Sequence, residues 1–125
     1  MSIGSRVRQV LAGGLRPAAR VLYPHGSVRT VLRGPLRGIR YVVEPGMGAT
    51  YALGHSAYQA EWFVRHIRGG MTIYDIGANR GQMTLLYSRL VGEQGSVCSF
   101  EPVPEVFATL RRNLTLNGSR NVRLF

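Results

Sequence analysis

The sequence predicts an α/β fold: three parallel strands joined by crossover helices, preceded by a basic extension and a small β-hairpin. Three observations carry that expectation. From residue 71 onward, short apolar runs alternate with helical stretches in the rhythm strand–helix–strand–helix–strand, which suits a parallel sheet with right-handed crossovers. The first two apolar runs each end in an acid, Asp75 and Glu101, where sheets of this class present polar groups to a ligand. The chain is also short, 125 residues with 45% hydrophobic and 18% charged, so one core is expected rather than two.

Residues 1–26 form the basic extension. Val7, Val10, Leu11 and Leu15 fall at helical spacing; Gly13-Gly14 and Pro17 weaken it, and Pro17 suits the first turn of a second short helix. Residues 27–70 hold the hairpin and a leading helix. The β-rich runs Val28–Leu32 and Ile39–Val43 are linked through Gly34-Pro35 and Gly38, the punctuation of a hairpin. After a Gly-rich stretch over 46–55, Ser56 is a candidate N-cap for a helix over 56–68. Ala60, Phe63, Val64 and Ile67 would make its apolar stripe, and Gly69-Gly70 stops it.

Residues 71–125 form the α/β unit. Strands are expected at 72–76, 96–100 and 121–125, and helices at 82–91 and 104–114. Met83, Leu86, Tyr87 and Leu90 mark one face of the first helix, and Val106, Phe107, Leu110 and Leu114 one face of the second. Trp62, Phe63 and Tyr87 are expected to pack. Cys98, in mid-strand, is expected as a buried small hydrophobe. His55 and His66 are expected at the surface, and a solvated side chain is expected for Arg80.

The net charge of +10 comes from 16 basic residues against 6 acids. Every base is Arg. Eight of them lie in residues 1–40, where there is no acid, so the excess belongs to the N-terminal third. A solvated basic extension is the default reading. Peripheral contact with an anionic membrane through residues 1–40 stands beside it; specific nucleic-acid binding is not expected. One Cys and three scattered His give neither a disulfide framework nor a metal site. No apolar run approaches the ~18 residues of a membrane span, and a cytoplasmic location, membrane-peripheral at most, is the expectation.

The informative segment is TIYDIGANRG, residues 72–81. A strand brings Asp75 to the carboxyl edge of the sheet. Gly77 allows a sharp turn and a close ligand, Ala78 continues the loop, and Asn79 tolerates a left-handed backbone. Gly81 opens a helix whose first N–H groups are free to meet an anion. The spacing D-x-G-x-N-x-G lacks the paired glycines of the dinucleotide fingerprint G-x-G-x-x-G. An acid there suits a ligand bearing an ammonium group. Glu101, 20 residues after Gly81, can accept hydrogen bonds from the two hydroxyls of a ribose, and Pro102 turns the chain out of the sheet. A nucleoside with a cationic amino-acid tail meets both demands, which is S-adenosylmethionine.

DIGANRGQMT followed by LVGEQGSVCSFEPVPEVFATLRRNLTLNGSRNV resembles the first half of the class I, FkbM-type methyltransferases. RGPLRGI, residues 33–39, is similar to a hairpin signature that precedes the catalytic domain in some members. Tyr58-Gln59 stands where that family often has Tyr-Glu. The resemblance implies a Rossmann-like sheet with residues 71–125 as a partial S-adenosylmethionine-binding domain. It also implies a cofactor site of Asp75, Gly77, Ala78, Asn79, Gly81, Glu101 and Pro102, and O-methylation of a small-molecule hydroxyl on a sugar, lipid or polyketide-like product, without a metal. It assigns no catalytic residue and no oligomeric state. It further implies a seven-stranded sheet of which three strands are accounted for, so the chain is expected to be the N-terminal portion of a longer product, inactive by itself. A catalytically dead nucleoside-binding fragment is the alternative. An NAD-linked protein is disfavoured by the glycine spacing.

Overall fold

The computed structural model of the protein describes residues 23–45 and 57–125. The expectations for residues 1–22, the Gly-rich stretch, the Ser56 cap and His55 lie outside them. Two strands, β1 (Val28–Thr30) and β2 (Arg40–Val42), come first. Helix α1 (Ala57–His66) follows, then β3 (Thr72–Ile76), α2 (Gln82–Val91), β4 (Ser96–Phe100), α3 (Pro104–Leu116) and β5 (Val122–Leu124).

β3, β4 and β5 form a parallel sheet in that order, with Asp75 opposite Ser99 and Ile76 opposite Phe100. β1 and β2 pair antiparallel as expected, Val28 opposite Val42. Backbone bonds extend this ladder at both ends: Val31 N–H donates to Ile39 carbonyl at 2.9 Å, and Val43 N–H to Ser27 carbonyl at 2.8 Å.

Among the described residues the layers stack on one side of the sheet. Ile73, Val97, Val122 and Leu124 alternate onto the face covered by the helices. Beyond the helices lies the hairpin. Val31, Leu36, Ile39, Tyr41 and Val43 share a core with Leu85 and Leu86 of α2 and Leu110 and Leu114 of α3. A second cluster joins Ile67, after α1, to Tyr87, Val91 and Val97, with Phe63 and Tyr87 edge to face at 5.0 Å. The other face of the sheet is open: Tyr74 is 67% exposed, Ile76 75% and Phe125 59%.

Three sequence expectations shift. Val64 is exposed although it belongs to the apolar stripe of α1, because the stripe narrows to Ala60, Phe63 and Ile67. Trp62 is also exposed and lies flat on the exposed His66, centroids 4.0 Å apart. Cys98 is half-buried, since its position alternates onto the open face of the sheet. Among the described residues no helix is long and apolar enough to cross a membrane.

Candidate functional site

The loop leaving β3 is pinned to the end of β4. The N–H groups of Gly77 and Ala78 both donate to the Phe100 carbonyl at 2.9 Å, which makes the chain turn within two residues of the strand. The turn needs three left-handed positions: Gly77 at φ 76°, Asn79 at φ 51° and Gly81 at φ 85°. Asn79 is the one described non-glycine residue with positive φ, and Asn is among the few side chains that tolerate this.

The two flanking glycines serve different ends. A Cβ on Gly77 would meet nothing within 4 Å, so the backbone there faces open space that a ligand can approach. A Cβ on Gly81 would fall on Leu110 Cδ1. The bare backbone at Gly81 admits α3 against the start of α2. Ala78 turns its methyl into the core and is 6% exposed, so only its backbone is offered to the site.

Glu101 joins this loop directly. Its Oε2 accepts the Asn79 N–H at 2.9 Å and its Oε1 the Val103 N–H at 2.9 Å. Each carboxylate oxygen has a second lone pair, so both can still accept a ribose hydroxyl. Pro102, exposed, carries the chain away between these contacts.

Asp75 stands apart from that pair. Its position alternates to the helix-covered side of the sheet, and its Oδ2 accepts the Thr84 hydroxyl at 2.5 Å. Thr84 in turn accepts from the Ser99 hydroxyl at 3.3 Å. Burial pushes the Asp75 carboxyl above the usual carboxylate range, and the Thr84 bond offsets part of this. Burial and the nearby Asp75 charge push the Tyr87 phenol up to about 12, so it stays protonated at neutral pH.

Residues absent from the sequence reading also build the site. Thr84 is fully buried in the first turn of α2; its one visible signal was a hydroxyl inside the apolar run MTLL. Asn113, also buried, donates from Nδ2 to the Arg80 carbonyl at 2.8 Å while its Oδ1 accepts the Val42 N–H at 2.8 Å. It ties the loop, the hairpin and α3 together. Arg80, expected to be solvated, is only partly so. Its backbone N–H and one guanidinium nitrogen both reach Asn79 Oδ1, at 2.8 and 3.1 Å, and its Nε is buried.

The donor set fits S-adenosylmethionine by its chemistry. An acid with unused lone pairs closes one end of the loop, open space lies over Gly77, and a carboxylate sits beneath. Residues 41–125 match the family described as protein-L-isoaspartate(D-aspartate) O-methyltransferase. The chain is 28% identical over 87 residues to protein-L-isoaspartate O-methyltransferase 1 of Arabidopsis thaliana, covering 66% of this chain and 38% of the relative. It is 39% identical over 56 residues to the protein-L-isoaspartate O-methyltransferase of Methanococcoides burtonii, covering 45% and 28%.

Among solved structures, a protein-L-isoaspartate O-methyltransferase superposes with a TM-score of 0.50 at 26% identity, over 66% of this chain and 26% of that one. A SAM-dependent O-methyltransferase from Thermotoga maritima gives 0.50 at 26% identity, over 67% and 28%. The chain therefore spans well under half the length of each of these relatives. These matches do not support the FkbM-type resemblance. That resemblance rested on the cofactor loop and the acid after β4, which read a nucleoside and an ammonium group and carry no mark of the acceptor.

Proposed function

The chain belongs to the protein-L-isoaspartate O-methyltransferase family of class I methyltransferases, and from that premise we propose that it holds S-adenosylmethionine for methylation of an isoaspartyl carboxylate. The observation that carries the reading is the contact of Glu101 with the 77–81 loop. One carboxylate fixes the loop through Asn79 N–H and keeps lone pairs for a ribose. The open backbone at Gly77 receives the amino-acid end, and the Asp75 charge favours its ammonium group. Bound there, the cofactor supplies an electrophilic methyl group on a sulfonium.

A carboxylate acceptor is already ionised at neutral pH. Glu101 and Asp75 then keep their hydrogen bonds to the loop and to Thr84 while the acceptor is held. A hydroxyl on a sugar, lipid or polyketide would need a proton removed, and so a base freed from such a contact. The family match favours the isoaspartyl acceptor over those hydroxyls.

The test has two parts. Titration calorimetry should show one S-adenosylhomocysteine bound per chain, with NAD inert. Methyl transfer from labelled cofactor by the protein should favour an isoaspartyl peptide over its aspartyl isomer at least tenfold. Equal labelling of the two peptides, or labelling of a hydroxyl acceptor instead, would remove the isoaspartyl assignment. Absence of S-adenosylhomocysteine binding would remove the cofactor site.

A further inference from the structure

The edge of the sheet opposite the 77–81 loop carries a large cavity, about 1120 Å³, lined by Arg40, Arg89, Arg120 and Arg123 with Glu93 as its one acid. Four like charges around one hollow repel one another, and an anion between them relieves that repulsion. We propose that this cavity is a binding site for a compact polyphosphate, independent of the cofactor site.

Two of the arginines are held in place. Arg40 donates through its guanidinium to the Leu116 carbonyl. Arg89 donates to the Arg37 carbonyl at 2.9 Å. A guanidinium has five N–H donors, so each keeps several for a ligand. Arg120 and Arg123 are exposed; Arg123 is tied into β5 by its backbone alone, so both guanidinium groups are turned to solvent.

Two helices end here, and bare carbonyls at a helix C-terminus repel anions. Both ends are covered. Asn121 Nδ2 donates to the Ser88 and Gly92 carbonyls at 3.0 and 2.7 Å, closing α2, and Arg40 covers Leu116 at the end of α3. With the negative ends masked, the cationic side chains dominate the hollow. Its concave shape, bounded by the hairpin and the loops after α2 and α3, favours a compact ligand over a nucleic-acid strand.

The experiment titrates inorganic tripolyphosphate into the full chain at low salt. The variants are R120Q/R123Q and a control, R16Q/R20Q, which removes equal charge from the extension. All three proteins are checked for equal thermal unfolding. The wild type and the control should bind one tripolyphosphate with affinities within twofold, and R120Q/R123Q should bind at least tenfold more weakly. Equal loss in both variants would reduce the effect to net charge and overturn the site. Unchanged binding by R120Q/R123Q would also overturn it. Tighter binding of a single-stranded RNA through the same two arginines would replace the polyphosphate by a nucleic acid.

Discussion

At Glu101 a single carboxylate both shapes the loop and is assigned to the ribose, so its removal acts twice. Glu101→Ala should weaken S-adenosylhomocysteine binding at least tenfold in calorimetry, since each charge-assisted hydrogen bond contributes roughly 1.5–3 kcal/mol; unchanged affinity would free Glu101 from the site. Gly81→Val should act on the fold instead. It forces a branched side chain into a left-handed backbone and onto Leu110, a loss of about 2–4 kcal/mol in urea unfolding. In a double-mutant cycle with Leu110→Ala the two costs should fall short of additive; strict additivity would mean they do not meet.

Asp75 makes a prediction that depends on pH. Its carboxyl is raised in the folded protein, so between the usual carboxylate value and the raised one the native state binds more protons than the unfolded state. Its contribution to stability is present at low pH and lost as pH rises through that window. The thermal stability of Asp75→Asn relative to wild type should therefore improve upward from about pH 4 and level off, while its cofactor affinity falls. A relative stability that worsens with pH would show that the Thr84 bond outweighs burial. The tight turn after β3 was legible in the residue types, because Gly and Asn have few other uses in that order; the bond from Asn79 N–H to Glu101 was not, because the two lie 22 residues apart and only the fold joins them. The role of Gly81 was not, because Leu110 is distant in sequence and only packing brings it there.

Among the elements, the strands and helices of residues 71–125 stand within two residues of their expected bounds, because apolar periodicity, Gly92 and Asn117-Gly118 mark their ends. What periodicity could not show is how the hairpin is held. Asn113, Asn117 and Asn121 recur every four residues, and each uses a side-chain amide as if it were backbone. Asn117 Oδ1 accepts the Arg40 N–H at 2.8 Å and its Nδ2 donates to the Arg40 carbonyl at 2.6 Å, pairing with β2 as a neighbouring strand would. A polar residue on a helix reads as solvent-facing in a sequence, and nothing local distinguishes one that is bonded across the fold. Asn113→Leu removes the partners of Val42 N–H and Arg80 carbonyl together and should cost about 2–4 kcal/mol. Hydrogen exchange should locate the loss at Val42; unaltered protection there would mean that apolar packing alone docks the hairpin.

At the scale of the molecule, the layers formed by the described residues lie to one side. Parallel sheets are ordinarily covered on both faces, yet Tyr74, Ile76 and Phe125 are exposed on the far side. The chain by itself should bind a hydrophobic dye and self-associate in light scattering, and Ile76→Thr with Phe125→Ser should reduce both; a monodisperse, dye-silent wild type would contradict this. The asparagine tethers also impose an order of assembly. Arg40 and Asn117 are 77 residues apart, so the hairpin is made early in synthesis but its asparagine tethers cannot close until α3 has formed. Closing so long a loop is slow to reward, which puts docking after the main barrier. Asn117→Ala should then quicken unfolding and leave the refolding rate within about twofold. A refolding rate that fell with stability would place the tether inside the nucleus; otherwise the hairpin is the last part to arrive and the first to leave.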